Sequence, residues 1–322
     1  MIVVTGANGF IGRYLVDQLI KDDFDVLGTT RSKRISPYFK KHDIKFIQLD
    51  ITNEKNFEKL PKKGVDAVIH LAALLSIDVS KWTAKDYLLV NALGTYNVLE
   101  YCRKKGINKI IYSMTHSDVN RAKEVVITED TPQQYNTTIG GGNSLPYIIS
   151  KIAAKDFVEK FAEQYDIKGI SLRFPGIRGY GSRDTEYNTV FHQFIQKAME
   201  SKPIEIWGEH KTVRDILYVK DAINGIICAL KSKKANGLYN IGSGVGLTIE
   251  DEAKAIIKVF SPSHNPSKLI YRPDIEEVRK RSYIFDISKA KRDLGYFPKY
   301  SYEKALIDYK KEMEQGYFGI EK

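Results

Sequence analysis

Residues 1–12 read MIVVTGANGFIG. The apolar run MIVVT has the unbroken hydrophobicity of a strand buried on both faces, and a glycine stops it. FIGRYLVDQLIK, residues 10–21, then places Ile11, Leu15, Leu19 and Ile20 on one face of a helix. A strand, a glycine turn and a helix in this order form a phosphate-binding unit. The free N–H groups and the dipole of a helix N-terminus favour negative charge. Within TGANGFIG, Gly6 permits the tight turn, Gly9 lets the backbone approach a pyrophosphate, and Gly12 lets the helix pack closely on the strand.

Outward from this unit, strand and helix alternate. DVLGTT, IKFIQLD and DAVIHLAA read as a second, third and fourth strand. LLVNALGTYNVLEYCRKKG is a long helix ended by Gly106, KIIYSM a fifth strand, YIISKIAAKDFVEKFAEQYD another helix and KGISLRFPG a sixth strand. This alternation predicts an α/β fold with a Rossmann-type, doubly wound parallel sheet. Beyond about residue 175 the rhythm breaks into Gly-, Pro- and Arg-bearing loops such as PGIRGYGSRD. We therefore expect a nucleotide-binding domain over 1–174, with 214–242 returning to it through GLYNIG at 237–242, and a smaller C-terminal substrate-binding domain from 175–213 and 243–322.

The composition fits such a chain. Of 322 residues, 43% are hydrophobic and 28% charged, which is ordinary for a globular protein. No apolar run reaches the roughly twenty residues of a membrane span. The start of the chain reads as a strand and not as a signal peptide. Cys102 and Cys228, the two cysteines, lack metal-ligand spacing and read as reduced residues of a cytoplasmic protein, with no metal site. The net charge of +10 comes from lysines scattered along the chain. Without a basic block interleaved with aromatics it does not indicate nucleic acid, but it favours a polyanionic small molecule.

The order and spacing of several motifs resemble the extended short-chain dehydrogenase/reductase family, in its nucleotide-sugar epimerase, dehydratase and reductase branch. TGANGFIG is similar to that family's TGxxGxxG turn, LDIT to its adenine contact, HLAA at 70–73 to the end of its fourth strand, and VNALGTYNVLE to the next helix. YSMTHS and PYIISK resemble its catalytic-hydroxyl strand and YxxxK pair. TVRDILYVKDAINGI, LYNIGSG and FDISKAKRDLGY resemble its C-terminal signatures. The resemblance implies cofactor contacts from Gly6, Asn8, Gly9, Phe10, Ile11, Gly12, Asp50, Ile51, Leu71, Ala72, Ala73 and Asn91. It also implies a nucleotide-diphosphate sugar as substrate and a homodimer built on the two long helices.

Three YxxxK patterns occur, at Tyr101/Lys105, Tyr147/Lys151 and Tyr300/Lys304. Only Tyr147 and Lys151 follow the fifth strand and open a long helix; the others read as surface coincidences on helices. One turn apart on one helix face, Tyr147 serves as acid and base, and Lys151 lowers its pKa and holds the nicotinamide ribose. By the family match Thr115 is the third member, with Ser113 as fallback. The family's 4,6-dehydratases carry Asp-Glu after that threonine; here His116 and Ser117 stand there, which argues against dehydration. The glycines at 140–142 precede Tyr147 and read either as a flexible loop or as a mobile lid.

On the substrate side, Arg214, Arg279 and Arg281 lie where the family places arginines that clamp a diphosphate, Arg279 and Arg281 competing for one position. Gly176 replaces the substrate-binding asparagine of many members. The second strand ends in GTTRS, residues 28–32, where NAD-preferring relatives carry an acid for the ribose 2′-OH. Thr30 takes that place, and Arg31, beside Ser32, suits a 2′-phosphate, with Arg13 and Lys33 adding positive charge. The expected cofactor is therefore NADP(H), with NAD(H) as the alternative. Such a pocket leans toward a nucleotide-4-keto-6-deoxyhexose reductase. A 4-epimerase uses the same Thr, Tyr and Lys, and a non-catalytic NADP-binding sensor is a third reading.

Overall fold

The computed structural model describes residues 1–33, 35–42, 44–75, 81–135, 144–182, 189–276 and 281–319. The first half follows the alternation. β1 (Ile2–Thr5) leads through the glycine turn to α1 (Phe10–Lys21), then come β2 (Val26–Thr30), the short α2 (Pro37–Lys41), β3 (Phe46–Gln48) and β4 (Ala67–His70). α3 (Ala84–Tyr87), a π-helical segment (Leu88–Leu93) and α4 (Gly94–Lys105) form the long helix, followed by β5 (Lys109–Thr115), β6 (Val126–Ile127), α5 (Ser144–Gln164) and β7 (Lys168–Phe174). The remainder comprises β8 (Gly176–Arg178), α6 (Val190–Met199), β9 (Ile204–Trp207), β10 (Arg214–Tyr218), α7 (Val219–Lys231), β11 (Gly237–Asn240), β12 (Gly246–Leu247), α8 (Ile249–Phe260), β13 (Leu269–Arg272), β14 (Ile284–Phe285), α9 (Ser288–Leu294) and α10 (Tyr302–Gln315).

Seven strands make the main sheet, in the order β11-β7-β5-β4-β1-β2-β3, and every pair is parallel. The chain winds outward from β1 to β3, then returns to place β4 on the other side of β1. The order therefore reverses between β1 and β4, and ligands of open α/β sheets bind outside the carboxyl ends of the strands at such a point. Successive strand residues feed opposite faces. Val4, Ile69 and Ile111 join the core under α1 and α7, whereas Val3, Val68 and Ile110 join the core under α4 and α5. A separate core around Phe194, Ile195, Ile206, Ile256 and Tyr309 holds α6, α8 and α10 together.

The stretch 214–242 divides between the layers. β11 closes the edge of the main sheet beside β7, and α7 packs on α1. β10 instead joins β8 and β12 in a three-stranded sheet. The C-terminal helix is anchored to the first. Tyr14 donates to Glu312 at 2.5 Å, and Lys220 reaches both Glu312 (2.9 Å) and Asp308 (2.5 Å).

Local details differ from the sequence reading for physical reasons. Leu15 and Leu19 of α1 are buried as the helical spacing requires, but Tyr14 and Val16 complete the inner face, and Ile20 is 38% exposed. The long helix begins earlier than its apolar pattern, because Thr83 and Asp86 form a capping box ahead of it. Tyr101 is no surface coincidence: it is buried and donates to the Pro61 carbonyl. Tyr300 precedes α10 and packs, tilted, against Tyr218 with ring centroids 4.8 Å apart. Cys102 is buried, Cys228 half-buried, and neither is in a disulfide. Among the described residues no helix is long and apolar enough to cross a membrane, and no cluster of His, Cys, Asp and Glu has metal-site geometry.

The turn after β1 tolerates no side chains. A Cβ on Gly12 would lie 2.2 Å from the Gly6 carbonyl oxygen, so α1 meets the turn backbone directly. Gly12→Ala should cost about 2–4 kcal/mol of stability, the range of overpacking against backbone. Urea unfolding of the variant measures this; a midpoint equal to wild type would show that the turn relaxes freely.

Candidate active site

A cavity of about 490 Å³ opens at the switch point. Gly6, Asn8 and Gly9 form its floor, Arg31, Ser32, Asp50 and Ile51 one side, and Leu71, Ala72, Ala73 and Leu74 the other. Gly6 has φ +70°, and a Cβ there would lie 2.8 Å from the Ala72 nitrogen. The chain leaving β4 is thereby pressed against the turn leaving β1. Gly9, the N-cap of α1, brings no side chain to cap the first turn. An extended groove with an uncapped helix N-terminus at its floor and a polar far end has the shape and chemistry of a dinucleotide site. Phe10 and Ile11 open α1 behind this floor, and Phe10 meets Tyr14 edge-on.

Asp50 Oδ1 accepts from Thr52 N and Oγ1, which fixes the bend that carries Ile51. Asn8 Oδ1 accepts from Ser36 N at 2.9 Å, tying the turn to the start of α2. Arg31 lies with its guanidinium 5.4 Å from the Trp82 ring centroid. Arg13 is not part of this end of the cavity. It donates to the Gly181 carbonyl and stands over the Phe318 ring, so the second charge expected near the ribose is spent elsewhere.

Asn91 is not among the residues that line the cavity. It is buried in the π-helical segment, accepts from Leu74 N at 2.8 Å, and donates to Leu74 O (3.1 Å) and Ser150 Oγ (3.0 Å). It shapes the cavity wall without lining it. The extra residue of a π turn marks functional sites in many helices, and here it delivers this side chain.

The candidate catalytic residues lie around the end of β5. Tyr147, on the first turns of α5, is buried, and the nearby Thr115 hydroxyl acts to lower its pKa. Thr115 also receives the Ser117 N–H, so this one hydroxyl caps the following turn near the phenol. Lys151 donates to the Ser113 carbonyl at 2.6 Å and lies 4.3 Å from the centroid of Tyr112. Burial pushes the Tyr147 phenol up from its ordinary value, opposed by Thr115. Burial pushes the Lys151 ammonium down to about 7. The triad of sequence positions is one spatial site, whereas Ser113 contributes its carbonyl.

Beyond Thr115 the surroundings are cationic. His116 stacks on Tyr283 at 5.1 Å. Burial, then Arg214, holds it down to about 4, so it is a neutral imidazole near pH 7. Arg214 opens β10, beside Tyr283. Arg173 and Asp118 form a fully buried ion pair at 2.7 Å. No atom lies within 4 Å of a Cβ placed on Gly176, so the absent asparagine leaves open space. Arg281 is engaged with backbone: it donates to Val119 O at 2.5 Å and Glu124 O at 2.8 Å, bracing the loop that carries His116. Arg279 and the glycines at 140–142 lie outside the described residues. The sequence reading missed Trp82, Tyr283 and the Asp118–Arg173 pair. For Trp82 no pattern existed to find it; for Tyr283 the only signal was its place beside Arg281 in RSYIFD.

Comparison with known proteins agrees with this geometry. Residues 2–242 match the model of the NAD dependent epimerase/dehydratase family, and the chain belongs to that family. A putative UDP-glucose 4-epimerase from Methanocaldococcus jannaschii is 30% identical over 257 residues, 78% of this chain and 79% of the relative. The dTDP-4-dehydro-6-deoxyglucose reductase of Escherichia coli is 23% identical, covering 92% of each chain. Among solved structures, the UDP-glucose 4-epimerase of Thermotoga maritima with UDP-glucose has a TM-score of 0.83 at 26% identity, covering 98% of both chains. The UDP-glucuronic acid 4-epimerase of Bacillus cereus, in complex with UDP-glucuronic acid and NAD, has a TM-score of 0.77 at 26% identity, covering 98% of this chain and 99% of that one. The protein is an NAD-dependent nucleotide-sugar-modifying enzyme of the epimerase, dehydratase and reductase kind.

The buried lysine has a thermodynamic signature. An unfolded lysine titrates near 10.4, so between about 7 and that value the unfolded chain holds a proton that the folded chain does not. Stability contributed at this position therefore rises with pH through that window, and the cost of the buried charge is fully present below it. Lys151→Met removes the cost together with the Ser113 hydrogen bond. For protein stripped of cofactor, the melting temperature of the variant relative to wild type should be highest at about pH 6 and fall by several degrees toward about pH 9.5. A difference that stays flat across that range would mean that burial does not govern this lysine.

Proposed function

We propose that the enzyme oxidises and re-reduces C4 of a nucleotide-diphosphate sugar, as a 4-epimerase, with Thr115, Tyr147 and Lys151 as its catalytic residues. The placement of Tyr147 and Lys151 on α5 against the end of β5, where Thr115 stands, carries this reading. The glycine floor that excludes side chains fits a pyrophosphate, and a bound nicotinamide dinucleotide supplies the hydride chemistry. Tyr147 takes the proton from the sugar 4-hydroxyl and returns it. Thr115 orients the same oxygen, and its nearness lowers the Tyr147 pKa against burial. Lys151 positions the ribose and raises the local positive potential. The similarity to proteins named as 4-epimerases supports this direction of the chemistry.

Elimination of water finds no support in the residues after Thr115. His116 is held neutral against Tyr283, and Ser117 accepts from Thr115. Arg214, facing this cationic pocket, is the diphosphate ligand in our reading, and Arg281 braces the loop. The second reading is the 4-keto-6-deoxyhexose reductase. One observation favours it: Thr30 and Arg31 replace a carboxylate at the end of β2, which suits NADP(H) over NAD(H). A cytoplasmic location and a homodimer belong to the same proposal. The dimer is supported by an apolar strip shared by the two long helices: Leu88, Leu93, Tyr96, Ile149 and Phe157 are each at least 36% exposed.

Three measurements test this. Tyr147→Phe should lower kcat about 1000-fold and Thr115→Val about 100-fold with little change in KM, within the usual range for lost acid–base groups; wild-type kcat in Tyr147→Phe would sink the assignment. Denaturing the purified protein and identifying the released dinucleotide separates the two directions. Retained NAD(H) with interconversion of C4 epimers is the epimerase result, whereas a protein that consumes NADPH stoichiometrically with a 4-keto sugar is a reductase. Phe157→Glu should shift the protein from dimer to monomer in light scattering, and a wild-type mass in the variant would place the interface elsewhere.

A further inference from the structure

The contact between Arg31 and Trp82 joins two walls of the cavity that the topology keeps apart. Arg31 directly follows β2, and Trp82 lies beyond β4. β1 runs between those strands. Neighbouring strands are about 4.8 Å apart, so the carboxyl ends of β2 and β4 are separated by about 10 Å, with the glycine turn between them. The guanidinium, 5.4 Å from the indole centroid, therefore links the β2 side of the cavity to the packing behind its β4 side. Both feet of the bridge stand on the site. Arg31 lines the cavity itself. Trp82 packs into the cluster of Leu74, Tyr87, Tyr147 and Ile148, and Leu74 is also a cavity wall. One side chain thus connects the adenosine end to the packing behind the catalytic tyrosine.

We propose that Trp82 is a cofactor-retaining residue. Its indole and the Arg31 guanidinium form a strap across the dinucleotide groove, closed by a cation–π contact, under which the pyrophosphate and adenosine ribose are held between turnovers. The inference rests on reading the cavity as the dinucleotide site, but not on the choice between NAD(H) and NADP(H). A planar guanidinium over an indole face is the favourable arrangement for such a contact. It must open for the dinucleotide to leave, so it acts on the release rate more than on the geometry of hydride transfer. A retained cofactor is what an internal oxidation–reduction cycle at C4 requires.

The test uses NADH, which lacks a 2′-phosphate, so any effect of Arg31 on its release is independent of phosphate pairing. The full-length enzyme is loaded with NADH and chased with excess ADP-ribose, and loss of reduced-nicotinamide fluorescence is followed by stopped flow. Arg31→Ala and Trp82→Leu should each speed release about three-fold, as loss of one exposed cation–π contact implies. The double variant should release no faster than the quicker single one, because both substitutions break the same contact. Trp82→Leu keeps an apolar filler in the cluster, and exposed Arg31 has no part in the core, so folding does not confound the series. Wild-type NADH release in both variants overturns the strap. If Arg31→Ala speeds only NADPH release and Trp82→Leu changes neither, Arg31 is a phosphate ligand alone; the strap then fails while the NADP(H) reading stands. If both variants speed NADH and NADPH release equally, the strap is upheld and the phosphate role of Arg31 fails. A wild-type protein that binds neither dinucleotide removes the site reading and the strap together.

Discussion

No side chain can stand at Gly6, where a Cβ would sit 2.8 Å from the Ala72 nitrogen. That close approach fixes the rest of the site. It holds the chain leaving β4 against the turn leaving β1, so the groove at the switch point is narrow and has two defined walls. The wall is then carried inward by hydrogen bonds. Leu74 is clamped by Asn91, Asn91 donates to Ser150 Oγ, and Ser150 donates to the Tyr147 carbonyl at 2.7 Å. The catalytic tyrosine is thus referenced to the glycine turn through a buried polar chain whose members are satisfied by one another. Such networks specify one arrangement because each partner lost leaves a buried donor or acceptor unpaired.

The sheet was legible because each of its strands is short, apolar and closed by a glycine or polar residue, and because helices of ordinary length separate them. The glycine turn and the YxxxK pair were legible because their spacing is dictated by chemistry along one element. What spacing does not encode is where a side chain spends its hydrogen bonds. Asn91 and Arg281 occupy plausible ligand positions, yet Asn91 is consumed by the Leu74 backbone and Arg281 by two carbonyls of the 119–124 loop. Arg13 sits beside the turn in sequence but one helical turn inward its guanidinium faces Gly181. Trp82 had no periodic context, and its partner Arg31 is distant in sequence, so only the fold brings them together. Tyr101 was misjudged because it repeats the catalytic spacing on a helix whose buried face includes it.

The substrate side is built from charge taken out of water. Arg173 and Asp118 pair with side chains 1% and 0% exposed, and Arg173 also reaches Asn240 on β11. Burying two charges is costly and is repaid only with good geometry and further hydrogen bonds. The gain here is positional. Asp118 belongs to the turn directly after Thr115, and Arg281 grips the same loop at Val119. The loop is pinned from the sheet and from the small domain at once. A cationic pocket that is also held in place suits an anionic ligand such as a nucleotide diphosphate.

Within this frame the acid–base pair is set by solvation. Burial disfavours every charged form, so it raises Tyr147 and lowers Lys151 to about 7. Near neutrality the lysine is poised between its two states, whereas the phenol keeps its proton until a neighbouring charge draws it off. A lysine at that value can hold its charge when an anion forms beside it, and Thr115 lowers the Tyr147 pKa against burial. His116 contributes no competing proton, since it titrates near 4 among the arginines. In the reaction proposed above, proton exchange is therefore left to Tyr147, with a neutral imidazole in place of a second acid beyond Thr115.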